Sequence, residues 1–160
     1  MSLTSTSATS VTTPSDTEIV ITRSIAGPRR LVYEAWTSCE HLPKWMGAEG
    51  WPMTECDIDL RVGGSYRYVS SGPDGFVLEL RGTYTEVSPP DRLVSTGSWG
   101  GDWPETIDTL ELLESDGRTT IRVTVKYPSQ EARDAAMATG MAEGMSAGYD
   151  RLADYVAAMA

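Results

Sequence analysis

The stretch that decides the fold runs from Ser129 to Met159 and reads SQEARDAAMATGMAEGMSAGYDRLADYVAAM. On a helix of about 3.6 residues per turn, its large apolar side chains fall in one stripe and its acidic side chains fall opposite. The stripe consists of Met137, Met141, Met145, Gly148, Leu152, Tyr155, Val156 and Met159. Ser129 stands where an N-cap hydroxyl is preferred, so we predict one continuous helix, roughly 45 Å long and buried on one side.

Three glycines interrupt this stretch at intervals of four residues, at Gly140, Gly144 and Gly148. Each one costs about 1 kcal/mol relative to alanine in a helix interior, so we expect a structural compensation. The glycines either allow a neighbouring element to approach closely or leave spare volume beside Met141 and Met145. Methionines at helical spacing usually pack in a core, but they also suit the adaptable wall of a pocket. Charged residues in the same stretch exclude a membrane span.

Composition limits the classes of function. The chain has 160 residues, of which 40% are apolar, and this is enough for one domain with its own core. The net charge of −10 argues against a nucleic-acid partner or an anionic membrane surface. Cys39 and Cys56 lack metal-ligand and redox-motif spacing, and we interpret them as reduced thiols of a cytoplasmic protein.

The single histidine, His41, restricts the possible chemistry further. A zinc site with two histidine ligands is excluded, and a serine or cysteine hydrolase would need to use this one residue. His41 lies among polar residues, which favours a surface or capping role. We therefore predict no metal, no cofactor and no catalytic residue.

The remaining chain reads as one domain after a short arm. Residues 1–15 are rich in serine and threonine and are predicted to be disordered, with the domain spanning 16–160. A β-branched run from Thr17 to Ile25 predicts a strand, and Pro28 begins the first of two short helices that end near Trp45. Residues 53–127 then alternate as six strands separated by turns. Arg67, Glu79, Arg81 and Arg122 are spaced to lie on the solvated face.

These elements predict an α+β helix-grip fold. A curved antiparallel β-sheet of about seven strands must cover its apolar face, and the C-terminal helix is the one element long enough to do so. The two short helices after the first strand would close one end. A sheet that curls around a helix without touching all of it leaves an interior cavity.

Several motifs resemble the activator of heat-shock-protein-90 ATPase homologue-like family. They are Pro28 with Val32 to Thr37, Glu40-His41-Leu42 with Trp45, Asp59 to Gly64, Gly82-Thr83-Tyr84, Pro89 to Val94, and Gly140 to Met145 with Arg151-Leu152. The resemblance covers roughly residues 17–156 and departs at Cys39 and Met46. It implies membership of the START and Bet v 1-like superfamily, also termed SRPBCC, and a hydrophobic cavity. Family members include co-chaperones and binders of small hydrophobic molecules, and the superfamily includes polyketide cyclases.

Candidate ligand-binding residues come from the aromatic composition and the methionine stripe. The chain has five Trp and seven Tyr against one Phe, and Trp and Tyr combine an apolar body with a polar tip. We predict that the binding residues are Trp45, Trp51, Tyr66, Tyr68, Trp99, Trp103, Met141 and Met145. Core packing remains the alternative for each of them.

The leading functional hypothesis is a bacterial-type, cytoplasmic protein that binds a small hydrophobic or aromatic molecule without assigned catalysis. One alternative is an enzyme of polyketide cyclase or hydrolase type that uses the same cavity, and it requires a cavity-facing acidic, Arg or Tyr side chain. Another is a chaperone-interaction module, which requires an exposed apolar patch. A homodimer is possible, whereas no nucleic acid or membrane partner is expected.

Overall fold

The computed structural model describes residues 9–47 and 50–159. Its strands are β1 (Ser10–Ser15), β2 (Glu18–Ala26), β3 (Met53–Ile58), β4 (Ser65–Ser71), β5 (Val77–Ser88), β6 (Arg92–Gly97), β7 (Thr106–Ser115) and β8 (Arg118–Lys126). Its α-helices are α1 (Arg29–Thr37), α2 (Gln130–Met137) and α3 (Met141–Met159), with 3₁₀ turns at Leu42–Lys44 and Pro73–Gly75.

The strands form one antiparallel sheet in the order β1-β2-β8-β7-β6-β5-β4-β3. Side chains alternate between a face that packs under the helices, which we call the inner face, and a solvated outer face. On β2, for example, Ile19, Ile21 and Ile25 are buried on the inner face. The predicted α+β helix-grip fold is confirmed, with eight strands instead of about seven.

The additional strand is β1, which lies in the segment predicted to be disordered. Ser10 pairs with Thr22 and Val11 pairs with Ile21, so β1 covers the open edge of β2. Val11 also packs against the core. The disorder prediction is therefore wrong for residues 10–15. Composition alone does not show that the backbone of this segment can form hydrogen bonds with the edge of β2. Residues 1–8 of the predicted arm lie outside the described residues.

The C-terminal stretch is two helices and not the single one predicted. The Oγ of Ser129 accepts a hydrogen bond from the amide of Ala132 at 3.1 Å, which confirms the predicted N-cap. The helix then ends before Gly140, whose φ of +81° lies in the left-handed region. Glycine adopts this conformation without a Cβ clash, and it commonly terminates helices. The 19 residues of α3 remain as the helix that the sheet grips.

The C-terminal half of α3 is packed tightly. Leu152 and Val156 are 0% exposed, and α3 lies mainly over β2 and against α1. A Cβ on Gly27 would lie 2.7 Å from the Cγ1 of Val156, so glycine permits this close approach. On β2, the side chain of Arg23 is 4% exposed. Its guanidinium donates a 2.7 Å hydrogen bond to the carboxylate of Asp150 on α3, and the two side chains form an ion pair.

Cys39 and Cys56 are joined in a disulfide, with their Cα atoms 5.7 Å apart. The prediction of two reduced thiols is wrong. Sequence spacing does not show that the segment after α1 folds back against β3. The bond ties that segment to the edge strand.

Candidate functional site

The inner face of the sheet is not packed equally along its width. Under the C-terminal half of α3 the inward side chains Leu152 and Val156 meet a fully buried core, whereas several inward side chains of β3, β4 and β5 keep accessible surface. Cys56, Tyr68 and Leu80 face the same way, because Cys56 pairs with Tyr68 and Tyr68 pairs with Leu80. The half-buried inward side chains in this region, with those of α3 that join them, are Cys56, Ile58, Tyr68, Leu80, Met141 and Met145.

Geometry explains the difference. Eight strands spaced about 4.8 Å apart span roughly 34 Å, whereas a helix with its side chains is about 10 Å wide. Because α3 makes its most extensive sheet contact with β2, it cannot also cover the strands at the far side. The region beside the inner face of β3 to β6 is therefore the part of the sheet that α3 covers least. We call it the inner space.

Three tyrosines form one wall of the inner space. The ring of Tyr66 lies 4.9 Å from that of Tyr68 and 5.4 Å from that of Tyr84, measured between centroids. Tyr66 donates a 2.7 Å hydrogen bond to the carbonyl oxygen of Thr96. Its ring covers Gly82, where an added Cβ would lie 2.6 Å from a ring carbon. Glycine at that position therefore shapes the tyrosine wall.

Asp108 is an acidic group on the same inner face. It alternates in phase with Leu110 and Leu112, which are buried on that face of β7. The hydroxyl of Thr106 donates a 2.7 Å hydrogen bond to its carboxylate. Burial raises the pKa of Asp108 to about 6, and the Thr106 bond opposes part of that rise.

Asp108 connects the tyrosine wall to α3 through Tyr127. Burial raises the pKa of Tyr127 to about 12, and the nearby Asp108 carboxylate adds to the rise. Burial also raises the pKa of Tyr66, again with a contribution from Asp108. The Tyr127 hydroxyl donates to the sulfur of Met141 at 3.5 Å. Polar groups therefore follow the inner face from the tyrosines to the methionines.

Tyr68 and Asp108 both lie on the inner face. Burial raises the pKa of both groups. Both residues keep part of their surface accessible to solvent.

Further buried hydroxyls lack a partner among the described residues. These are the phenol groups of Tyr33 on α1, Tyr84 on β5 and Tyr149 on α3. The Tyr33 residue is 6% exposed, and the other two are each 2% exposed. Burial raises the pKa of all three. Buried hydroxyls normally have a hydrogen-bond partner, so each of these unpaired groups has a cost in folding free energy.

A cleft of about 480 Å³ opens to solvent between the segment after α1 and the middle of α3. Trp51 forms part of it, with Lys44 and Arg151. Arg151 donates a 3.0 Å hydrogen bond to the carbonyl of Trp45 and another to that of Gly47, which holds this segment on α3. The other lining residues are Pro43, Met46, Gly47, Gly50 and Pro52.

The structure separates the sequence-predicted site residues into four groups. Tyr66 and Tyr68 lie together on the inner face, and Met141 and Met145 lie half-buried on α3 against the core. Trp51 lies in the cleft. Trp45 is 2% exposed and packs 4.7 Å from the ring of Trp36, with its indole N–H donating to the Ala35 carbonyl. Trp99 and Trp103 are 52% and 44% exposed in the loop between β6 and β7.

His41 connects two helices near the surface. Its Nδ1 lies 2.6 Å from the Tyr155 hydroxyl of α3, and its Nε2 lies 3.0 Å from a carboxylate oxygen of Glu34 on α1. This arrangement fits a structural role. Within residues 9–47 and 50–159, no group of His, Cys, Asp or Glu side chains is arranged to hold a metal ion.

The site residues predicted from the sequence do not include Tyr33, Tyr84, Asp108 or Tyr149. For two of them, the spacing in the sequence could have predicted an inward orientation. Asp108 stands two residues before Leu110 and so shares its face of the strand, and Tyr149 stands three residues before Leu152 and so shares its side of the helix. The predicted solvated face is confirmed, since Glu79 forms ion pairs with both Arg67 and Arg81 there.

The antiparallel sheet, the gripped C-terminal helix and the inner face define the helix-grip class of α+β proteins. The family model described as Activator of Hsp90 ATPase homolog 1-like protein matches residues 26–157. The chain belongs to this family.

Solved structures of bacterial proteins share the fold. A Rhodobacter sphaeroides protein is 35% identical with a TM-score of 0.89, and the match covers 96% of this chain and 100% of that one. A Mycobacterium smegmatis protein is 26% identical with a TM-score of 0.82, covering 92% and 96%. A Nitrosomonas europaea protein at 23% identity, with a TM-score of 0.83 and coverage of 92% and 98%, supports the fold alone. Comparison with curated proteins gives no match.

None of the helices in the described part of the chain has the length and apolar character needed to cross a membrane.

Proposed function

We propose that the protein binds a small hydrophobic or aromatic molecule in the inner space, between the tyrosine wall and the methionines of α3. The family and the helix-grip fold support a protein of the ligand-binding kind. The proposed binding residues are Tyr66, Tyr68, Met141 and Met145, together with Ile58 and Leu80.

The observation that supports the proposal most strongly is the difference in burial between the two ends of α3. Leu152 and Val156 on α3 are 0% exposed, yet Met141 and Met145 on the same helix keep accessible surface while facing the same sheet. Apolar side chains that face inward and remain accessible are stabilised when an apolar molecule displaces water from them. Methionine suits this wall because its flexible side chain adapts to different shapes.

The wall of the inner space predicts which molecules fit. Aromatic rings on Tyr66, Tyr68 and Tyr84 offer edge and face contacts to a second ring system. Asp108 contributes a single acidic group at the side. Compact aromatic hydrocarbons and ketones match this lining better than extended charged molecules.

The proposal is tested with diphenylmethane as an apolar probe, titrated by isothermal calorimetry. Met145→Trp adds bulk in the inner space and is expected to lower the affinity at least tenfold, corresponding to about 1.4 kcal/mol. Leu113→Trp makes a similar change at an exposed position on β7 and is the matched control. Circular dichroism verifies that both variants fold. An undetectable interaction with the wild-type protein, or equal losses in the two variants, would contradict the proposal.

Asp108 favours one alternative, an enzyme of hydrolase type that uses the same space. A general acid or base is most effective when its pKa lies near the working pH, and burial brings Asp108 to about 6. Hydrolysis of p-nitrophenyl acetate distinguishes the two functions. An enzyme would accelerate it and lose that acceleration in Asp108→Asn, whereas equal rates in both proteins would leave binding as the function.

A further inference from the structure

The disulfide joins the helical layer of the protein to the edge of the sheet. Cys39 lies in the segment between α1 and the Leu42–Lys44 turn, and Cys56 lies on β3, which is an edge strand. Cys56 faces inward, because it pairs with Tyr68 on the inner face. The bond therefore crosses from the helices to the sheet at the side of the inner space.

The segment that carries Cys39 is held on the helices by other contacts. Leu42 is 0% exposed, and the indole of Trp45 donates to the Ala35 carbonyl at 3.0 Å. Arg151 of α3 donates to the Trp45 carbonyl, also at 3.0 Å. These contacts do not involve the sulfur atoms, so they hold the segment in place with or without the bond.

The other end of the bond is attached less firmly. Among the described strands, β3 pairs with β4 alone, and the register of that pairing shifts between Met53 and Glu55. Outside the sheet, the most extensive contact of β3 is with the Leu42–Lys44 turn. Elements with few buried contacts and exposed backbone hydrogen bonds open locally more easily than central strands. Breaking the bond is therefore expected to loosen β3 and to leave the Cys39 segment where it is.

Cys39 and Cys56 are both half-buried and keep part of their surface accessible to solvent. A thiolate breaks a disulfide by attacking one of its sulfur atoms, so the reductant needs this access. A dithiol reductant first forms a mixed disulfide with one cysteine and releases the other. Its second thiol then displaces the first cysteine. Two electrons and two protons pass to the protein, which gains two thiols, and the reductant becomes a disulfide.

We propose that Cys39 and Cys56 form a reversible redox site whose partner is a dithiol reductant, and that reduction releases β3 and opens the side of the inner space. In the oxidised protein, the bond holds the edge strand against the helical layer. The opening for a ligand rests on the proposed function and regulates that same site, whereas the release of β3 is independent of it.

The first test follows β3 in the folded protein by ¹⁵N relaxation dispersion, before and after addition of dithiothreitol without denaturant. We expect the dithiol to reduce the bond and to produce millisecond exchange at the amides of β3. The amides of β8, an interior strand, are expected to show none in either state. The double variant Cys39→Ser, Cys56→Ser is the control, and it is expected to show the exchange at β3 whether or not the dithiol is present.

Three results of this test would overturn the inference. The bond could resist dithiothreitol in the folded protein, or β3 could remain free of exchange after reduction. In either case the disulfide has a structural role only. Equal exchange at β3 and β8 would show a general loosening of the sheet and no selective release of its edge.

The second test measures the association rate of diphenylmethane with the immobilised protein by surface plasmon resonance. Reduction is expected to raise this rate about tenfold, because binding that must wait for a conformational change is slowed. The double variant is expected to bind at the rate of the reduced wild type. Equal rates in the oxidised and reduced wild type would overturn the control of access. Absence of binding in both states would instead contradict the proposed function, and the relaxation experiment would still decide whether reduction releases β3.

Discussion

Individual tyrosine hydroxyls on the inner side of the protein differ in what they contribute to stability. Tyr66 donates to the Thr96 carbonyl, whereas the hydroxyl of Tyr149 is buried beside Trp36 and Trp45 with no partner in the described chain. A satisfied buried hydroxyl stabilises the fold, and an unsatisfied one costs free energy through its lost hydration. The same substitution therefore has different consequences at the two positions.

Tyr66→Phe is expected to lower the free energy of unfolding by about 1–2 kcal/mol, because it leaves the Thr96 carbonyl without its donor. Tyr149→Phe is expected to leave that free energy unchanged or raise it slightly. Urea unfolding of the ligand-free protein measures both. A loss at Tyr149 as large as that at Tyr66 would show that its hydroxyl has a partner in the folded protein.

Asp108 makes stability depend on pH in a defined direction. Burial raises its pKa from 3.8 to about 6, so ionisation disfavours the folded state. The penalty is absent below pH 4, grows between pH 4 and 6, and is complete above pH 6. At about 1.4 kcal/mol per pKa unit it amounts to roughly 2–3 kcal/mol.

Asp108→Asn removes this titration and is the direct comparison. The stability of the variant relative to the wild type is expected to increase from pH 4 to pH 7, as measured by urea unfolding at each pH. An NMR titration of the Asp108 carboxyl is expected to give a midpoint near 6. A difference in unfolding free energy that stays constant from pH 4 to pH 7 would contradict the burial of the Asp108 carboxylate.

At the scale of elements, the glycines of the C-terminal stretch have opposite roles. Gly140 has a φ of +81° and separates α2 from α3. Gly144 lies inside α3, where an added Cβ would meet no atom within 4 Å. Of the two interpretations given to these glycines, open space is the one that fits Gly144.

Gly140→Ala is expected to destabilise the protein by about 1–2 kcal/mol, because alanine is strained in the left-handed region. Gly144→Ala is expected to stabilise it by about 1 kcal/mol through helix propensity. Thermal and urea unfolding of the two variants form a matched comparison within one segment. Destabilisation by Gly144→Ala would show that an atom occupies the space beside it.

The disulfide is a second feature at this scale, since it fixes the segment after α1 on β3. Cys39 and Cys56 are separated by 17 positions. A closed loop of this length stabilises by about 3 kcal/mol in the chain-entropy account. Cys39→Ser with Cys56→Ser is expected to lower the free energy of unfolding by about that amount, and reduction of the wild type is expected to do the same. Two titratable thiols in the unreduced, denatured wild type would contradict the bond.

Periodicity was sufficient to predict most elements, but not their long-range contacts. The alternation of Ile121, Val123 and Val125 predicts β8, and the C-terminal stripe predicts the gripped helix. The helix break, β1 and the disulfide depend on backbone conformation or on segments distant in sequence. The same holds for the site. The alternation of Tyr66 and Tyr68 in the sequence places them on one face of β4, whereas the burial of Tyr33 depends on how α1 packs against the rest of the chain.

At the scale of the whole molecule, unequal cover of a wide sheet by one helix produces both the stable core and the inner space. The side over β2 supplies the packed core, and the side near β3 to β5 keeps accessible apolar surface. The homodimer that the sequence leaves open belongs to this scale too, since β1 and β3 are the edge strands. Sedimentation equilibrium tests it: twice the mass of the 17.4 kDa chain would show a dimer, and the mass of one chain would contradict it.

The most direct test of the central claim is to locate a bound apolar molecule by NMR, with the methionine methyl groups labelled with ¹³C and diphenylmethane as the probe. The account predicts nuclear Overhauser effects from the probe to the methyl groups of Met141 and Met145, and none to Met137, which is 37% exposed on α2. Contacts to Met46 in the cleft, with Met141 and Met145 unaffected, would contradict binding in the inner space.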